Sequence, residues 1–143
     1  MPTLFTRIIN GEIPGRFVWS DDRVVAFLTI EPFMPGHTLV VTREEIDHWI
    51  DVPSDLLAHL FQVAQYIGQA QQAEWQPTRI GVLVMGEEVP HVHVHVVPIN
   101  QVNELSFAHA DRSASAEDLD DAAARIRTRL RDLGHGEHVH STS

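Results

Sequence analysis

The sequence predicts an α+β domain in which one mainly antiparallel sheet of five strands is packed by helices. Three observations support this. Five short segments rich in Val, Ile, Phe and Trp are set apart by Gly, Pro and Asp turns. One long amphipathic segment falls between the third and fourth of them. The last strand, His91–Pro98, alternates three histidines with valines before a closing proline.

The elements follow in order. Thr3–Asn10 places Leu4, Phe5, Ile8 and Ile9 at helical spacing, and Gly11 marks a C-terminal stop. Pro14-Gly15 turns the chain into Arg16–Ser20 and Arg23–Thr29. These two strands are joined at Ser20-Asp21-Asp22 and form an antiparallel hairpin. Prolines exclude Glu31–Gly36 from regular pairing, so it is a loop before a third strand, His37–Thr42. Glu44–Ile50 reads as a short polar helical turn. The main helix begins after Pro53 with Ser54 as its expected N-cap. Leu56, Leu57, Leu60, Val63, Ala64 and Ile67 repeat at three and four, and the helix ends near Trp75-Gln76-Pro77. Arg79–Met85 is a continuous apolar strand broken by Gly86. Beyond Pro98 a polar loop leads to a C-terminal helix, Ser115–Leu133, with Leu119, Ala122, Ile126, Leu130 and Leu133 on one face. Ser115 and Asp118 resemble a capping box, and acidic residues at the start with arginines at the end complement the helix dipole. Residues 1–133 form one domain, with a core over 3–98 and the C-terminal helix as an extension. The tail, 134–143, lacks apolar periodicity and is expected to be disordered.

Composition narrows the function classes. At 143 residues, 43% hydrophobic and 21% charged, the chain has the make-up of one soluble globular domain. A net charge of -10 disfavours a surface that tracks a nucleic acid polymer. It leaves room for one small nucleotide held by local hydrogen bonds. With no cysteine, disulfides, thiolate zinc sites and thiol catalysis are excluded. Met1–Glu12 lacks a signal-peptide pattern, and no apolar run approaches the about 20 residues that span a bilayer. A cytoplasmic protein without a membrane partner is expected.

In an extended strand, residues i, i+2 and i+4 share a face, so His91, His93 and His95 line up opposite Val92, Val94 and Val96. An ordinary solvated face is not expected to alternate so strictly. A metal site is disfavoured because positions i and i+4 lie about 13 Å apart along a strand. Three imidazoles so spaced do not readily converge on one ion at about 2 Å, and no further ligand cluster is apparent. A catalytic row remains: one neutral imidazole attacks phosphorus without a separate base while its neighbours offset charge on the phosphoryl oxygens.

The flanking residues favour the catalytic row. The run His91-Val92-His93-Val94-His95-Val96-Val97 resembles the signature of the histidine triad (HIT) family of nucleotide hydrolases and transferases, on its Hint-like branch. The resemblance spans about residues 3–98. Leu4–Ile9 with Glu12-Ile13-Pro14 is similar to the family's N-terminal helix and its exit. Ser20-Asp21-Asp22 with Ala26-Phe27-Leu28 is similar to its hairpin, and Pro35-Gly36-His37-Thr38-Leu39-Val40-Val41 to its next strand. Gly86 with Val89-Pro90-His91 is similar to its phosphate-side turn.

That resemblance implies a role for each residue. His93 would attack the α-phosphorus to form a nucleotidyl-histidine, and His95 would contact phosphate oxygens or the leaving group. His91 would support them, packed near His37. Phe5, Ile8, Phe27 and Ile30 would line the base and ribose pocket, although plain core packing explains Phe5 and Ile8 equally well. Water would then release a nucleoside monophosphate. No cofactor or metal is implied, and the N-terminal cysteine-based zinc site of some members is absent because Phe5-Thr6 stands there. Homodimers joined through the main helix and the strand before the triad are the family's common assembly, and the apolar run Ile80–Met85 suits such burial.

Several positions depart from the family pattern. Thr29 stands where an acidic residue usually holds the ribose hydroxyls. Glu87 and Glu88 follow Gly86 in place of Gln and Ser or Thr, and like charge beside a phosphate weakens its binding. These residues suit a cationic leaving group. The leading expectation is a hydrolase or nucleotidyl transferase acting on a nucleoside phosphoramidate or related conjugate. The alternatives are a nucleotide-binding regulatory protein with little turnover and a zinc or nickel site protein. For the latter, His135, His138 and His140 in the tail offer weak ligands.

Overall fold

A computed structural model of the protein describes residues 2–139. A short helix, α1 (Leu4–Ile9), precedes strands β1 (Phe17–Ser20), β2 (Val24–Leu28) and β3 (Thr38–Thr42). The long helix α2 (Ser54–Trp75) leads to β4 (Arg79–Leu83) and β5 (His93–Ile99), and α3 (Ala116–Asp132) closes the fold. The five strands form one sheet in the order β1-β2-β3-β5-β4, with every neighbouring pair antiparallel. The α+β class and the five-stranded antiparallel sheet are as the sequence predicts. Among the described residues, no helix is long and apolar enough to cross a membrane.

Strand alternation sorts the core into two halves. Val24, Ala26, Leu28, Val40, Val94 and Val96 point toward α2 and α3, where they meet Leu60, Val63, Ile67, Ile126 and Leu130. Val25, Phe27, Leu39 and Val41 point the other way, onto Phe5 and Ile8 of α1. Both faces of β2, β3 and most of β5 are therefore buried. Cross-strand register pairs Val41 with His93 and Leu39 with His95, so the two histidines join the α1 side.

Several local expectations are corrected. Ser54 is the first residue of α2 rather than its cap: the Pro53 carbonyl accepts from the Leu57 N–H at 2.8 Å, and no side chain caps the turn. Between Glu44 and Ile50 only a 3-10 turn at Trp49–Asp51 forms. β4 stops at Leu83 rather than Met85, and within the single chain it is a half-exposed edge strand. Ser115 does cap α3, accepting from the Asp118 N–H at 3.0 Å. Leu133 is the C-cap of α3 and half exposed rather than part of its buried face.

The tail expected to be disordered from Gly134 is ordered as far as Val139. A 3-10 turn at Gly136–His138 brings His138 flat against Trp19, with centroids 4.7 Å apart, and His135 lies 4.2 Å from Tyr66. Two imidazoles and two aromatic rings supply the packing that apolar periodicity did not reveal. His140 lies outside the described residues.

Candidate functional site

The site begins with the loop between β2 and β3. Gly36 has φ +91, a left-handed conformation that favours glycine, and a Cβ there would meet the Trp75 ring at 2.5 Å. The Gly36 carbonyl accepts from Gln71 Nε2 at 2.9 Å, and the same amide reaches the Val96 carbonyl at 2.8 Å. This buried bridge from α2 clamps the loop to β5 and sets His37 beside His95.

Hydrogen bonding then fixes the imidazole tautomers one after another. The Phe33 N–H can only donate, so His37 Nδ1 accepts it at 3.0 Å and His37 carries its proton on Nε2. That Nε2–H donates to His95 Nδ1 at 2.9 Å, which puts the His95 proton on Nε2. His95 Nε2 is buried and has no partner among the described residues. The relay therefore delivers one N–H donor to the site without any charged group. Burial first, and then the neighbouring imidazoles, push His37 down to about 3; burial, and then His93, push His95 down to about 4. Both rings are neutral at physiological pH.

His93 holds the opposite tautomer. Its Nδ1 donates to the His91 carbonyl at 2.7 Å, which leaves Nε2 with a free lone pair. Burial lowers its affinity for a proton as well. The ring sits edge-on to Phe5 at 4.7 Å and lies 4.9 Å from the His95 ring. One row thus offers a nucleophilic nitrogen beside a hydrogen-bond donor.

His91 has a different task. It precedes β5, outside the ladder, and is fully buried. Its Nε2 donates to the Thr42 carbonyl at 2.6 Å, so its Nδ1 accepts from Thr3 Oγ1 at 2.7 Å. Thr3 also caps α1 by accepting from the Thr6 N–H. His91 therefore ties α1, and with it Phe5, to the end of β3. The expected packing of His91 near His37 is corrected: the relay pairs His37 with His95, because the β3–β5 register sets Leu39, two residues on from His37, opposite His95.

His93 and His95 open onto a cavity of about 450 Å³. Of the expected site residues, Phe5, Thr29, Ile30, His37, Gly86, Glu87, Glu88, Val89, His93 and His95 line it. Ile8 and Phe27 do not. They belong to the apolar cluster that supports Phe5, so their pocket role is corrected to core packing. His91 is likewise behind the wall. The cavity also gains Phe33, Leu39, Phe107 and Arg112, which sequence reasoning missed. Leu39 could have been found from its register opposite His95, but Phe107 and Arg112 arrive by a tertiary fold-back without a local signal. A larger hollow of about 670 Å³ shares Phe33 and His37 but otherwise runs against α3. It includes neither His93 nor His95, so the free lone pair and the unpartnered donor both lie in the smaller cavity. Among the described residues, no group of three or more His, Asp or Glu is placed to hold a metal ion.

Comparison with known proteins identifies the family and the fold. The model of the HIT domain matches residues 10–102. The chain belongs to the HIT family. The protein Hit of Bacillus subtilis is 30% identical over 136 residues, covering 89% of this chain and 93% of the relative. In crystal structures, a HIT-like protein from Bartonella henselae involved in cell-cycle regulation superimposes with a TM-score of 0.77 at 29% identity, covering 89% of this chain and 95% of that one. A hypothetical histidine triad nucleotide-binding protein of Sulfolobus tokodaii gives 0.77 at 25% identity, covering 90% and 92%. The five-stranded sheet, main helix and C-terminal helix of this HIT protein are thus those of the family fold.

Proposed function

We propose that this HIT protein is a hydrolase or nucleotidyl transferase of Hint-like type that cleaves a nucleoside phosphoramidate or a related nucleotide conjugate. One observation carries the reading: His93 Nδ1 is tied to the His91 carbonyl, so Nε2 keeps its lone pair on a ring lining the cavity. The nucleotide-binding description of the Sulfolobus tokodaii protein supports the substrate class.

In this scheme His93 Nε2 forms a bond to the α-phosphorus as the bond to the leaving nitrogen breaks. The nitrogen departs as an amine after taking a proton from water. The His95 Nε2–H donates to a phosphoryl oxygen, where it is worth far more in a dry site than in water. Water then attacks phosphorus, His93 leaves with its neutral tautomer restored, and the nucleoside monophosphate is released. The free protein needs no charged histidine, and the nucleotidyl-His93 intermediate, an imidazolium that keeps its Nδ1 proton, is stabilised by the His91 carbonyl.

Glu87 and Glu88 line the same cavity and suit an amine leaving group that carries positive charge. If Glu88→Ser leaves the preference for cationic over neutral amines unchanged, that refinement is wrong. The same carboxylates favour a second reading, a nucleotide-binding regulatory protein with little turnover. Incubation with adenosine and guanosine phosphoramidates, a quench in base and mass spectrometry of His93 separates the two. Bound nucleotide without adduct or turnover supports the regulatory reading.

A homodimer is part of the proposal. Phe61 and Val82 are exposed beside an apolar groove between α2 and the edge strand β4, which also includes Ala64, Gly68 and Ile80. A second copy covering this groove would bury it. Sedimentation should give a dimer for the wild type and a monomer for Val82→Glu; a monomeric wild type overturns the assembly. The placement in the cytoplasm and the single domain over residues 1–133 belong to the same proposal.

A further inference from the structure

Beyond β5 the chain folds back across the site. Two 3-10 turns, Val102–Glu104 and Phe107–His109, carry it over His95. Phe107 meets the His95 ring edge-on at 5.6 Å and the Phe33 ring at 5.1 Å. The Asp111 N–H then donates to the Pro32 carbonyl at 2.8 Å, which stitches this strap to the loop that bears His37. The Asp111 carboxylate accepts from the N–H and the hydroxyl of Ser113. The backbone on both sides of Arg112 is thereby held at the rim of the cavity.

The charges around that cavity are unbalanced. Glu31, Glu87 and Glu88 contribute three carboxylates to its lining. Arg112 is the only lysine or arginine among the described residues that line it. Among the charged residues of this lining, only Arg112 has the sign that attracts a phosphate. A guanidinium also presents a planar fork of donors that matches phosphate oxygens. Arg112 rests on Glu31 at 3.4 Å, with side-chain exposures of 71% and 46%. An exposed and long ion pair of this kind is worth little and is readily exchanged for a better partner. The cavity also holds a buried donor, His95 Nε2, that has no partner among the described residues.

From this juxtaposition we infer that Arg112 is the phosphate-recognition residue of the site, resting on Glu31 until a nucleotide enters. The inference builds on the nucleotide reading of the cavity and adds the residue that selects for phosphate. Glu31 has a consequent part, as a competitor that the ligand must displace.

Calorimetric titration of the full chain with adenosine 5′-monophosphate and, separately, with adenosine tests it. Arg112→Gln should weaken the monophosphate about ten- to a hundredfold and leave adenosine unchanged, because only the charged partner is lost. Arg112→Lys should recover part of the loss, and Glu31→Gln should tighten the monophosphate a few-fold. Monophosphate affinity unchanged in Arg112→Gln overturns the assignment, as does an equal loss for adenosine, which would mean that the strap had merely loosened. A wild type that binds neither ligand overturns the nucleotide reading itself, a failure distinct from that of Arg112 alone.

Discussion

On the face of the sheet that meets α2 and α3, Val94 and Val96 are completely buried among aliphatic side chains. On the opposite face, one residue away along the same strand, His93 and His95 are each only 5% exposed, yet every polar contact they make is directional. The two faces are almost equally dry. One obtains its stability from apolar area removed from water; the other combines a smaller apolar cluster with directional hydrogen bonds and leaves His95 Nε2 without a partner among the described residues. A strand with alternating side chains can thus serve as a rigid wall and a reactive surface at once. Substitutions on the two faces should therefore separate stability from chemistry.

The largest separation should come from His93→Ala. Loss of the attacking nitrogen should lower turnover of a nucleoside phosphoramidate by about a thousandfold or more, as removal of a covalent nucleophile does. Its unfolding midpoint in urea should move less than that of a core truncation, since the ring borders the cavity and loses one hydrogen bond and its edge contact with Phe5. Leu60→Ala, on the other face, should do the reverse. Leu60 is fully buried, and its truncation should cost about 2–5 kcal/mol of stability in urea melts while the folded fraction keeps wild-type turnover. If Leu60→Ala were as inactive as His93→Ala while still folded, the division of labour would be wrong.

His37→Ala tests the relay rather than the attack. Without the Nε2–H of His37, His95 loses the bond that fixes its tautomer, and kcat should fall about ten- to a hundredfold with KM little changed. A change confined to KM would mean that His37 shapes the pocket instead.

The pH response of stability follows from the same rings. His37 and His95 are held at about 3 and about 4 in the fold, against 6.5 when unfolded. Below 6.5 the unfolded chain takes up protons that the folded chain refuses, so folding loses free energy. Their contribution is complete above pH 6.5 and is lost progressively as the pH falls toward 4 and then 3. Urea midpoints measured across this range should decline on acidification, and less steeply in His37→Ala. The smallest effect should be His138→Ala, which removes a ring stacked on Trp19 on the helix side. It should cost about 0.5–1 kcal/mol in urea melts and leave turnover untouched.

Much of this arrangement was legible in the sequence because strand alternation is a local property. Val92, Val94 and Val96 against His91, His93 and His95 needed only a period of two, and the face of α2 only a period of three and four. Pairings that cross the chain were not legible. His91, expected to support the other two, lies just outside the ladder, and its partners Thr3 and Thr42 could not be read from the even spacing of the row. The expectation that His91 packs near His37 failed because register, not composition, decides which ring His37 meets. Phe107 and Arg112 sit in a stretch that reads only as polar loop, and they are placed by long-range contacts: the Asp111-to-Pro32 bond and the packing of Phe107 on Phe33 and His95. The ordered end of the chain was missed because histidines on Trp19 and Tyr66 replace the aliphatic pattern that signals packing.

The central claim is that His93, and no other residue of the row, carries the reactive nitrogen. Brief reaction of the full chain with adenosine 5′-phosphoramidate, a basic quench and peptide mass spectrometry tests it most directly. The account predicts an adenylyl group on His93 that is absent from His93→Ala and still forms, more slowly, in His37→Ala. An adduct on His91 or His95, or wild-type turnover by His93→Ala, would contradict it.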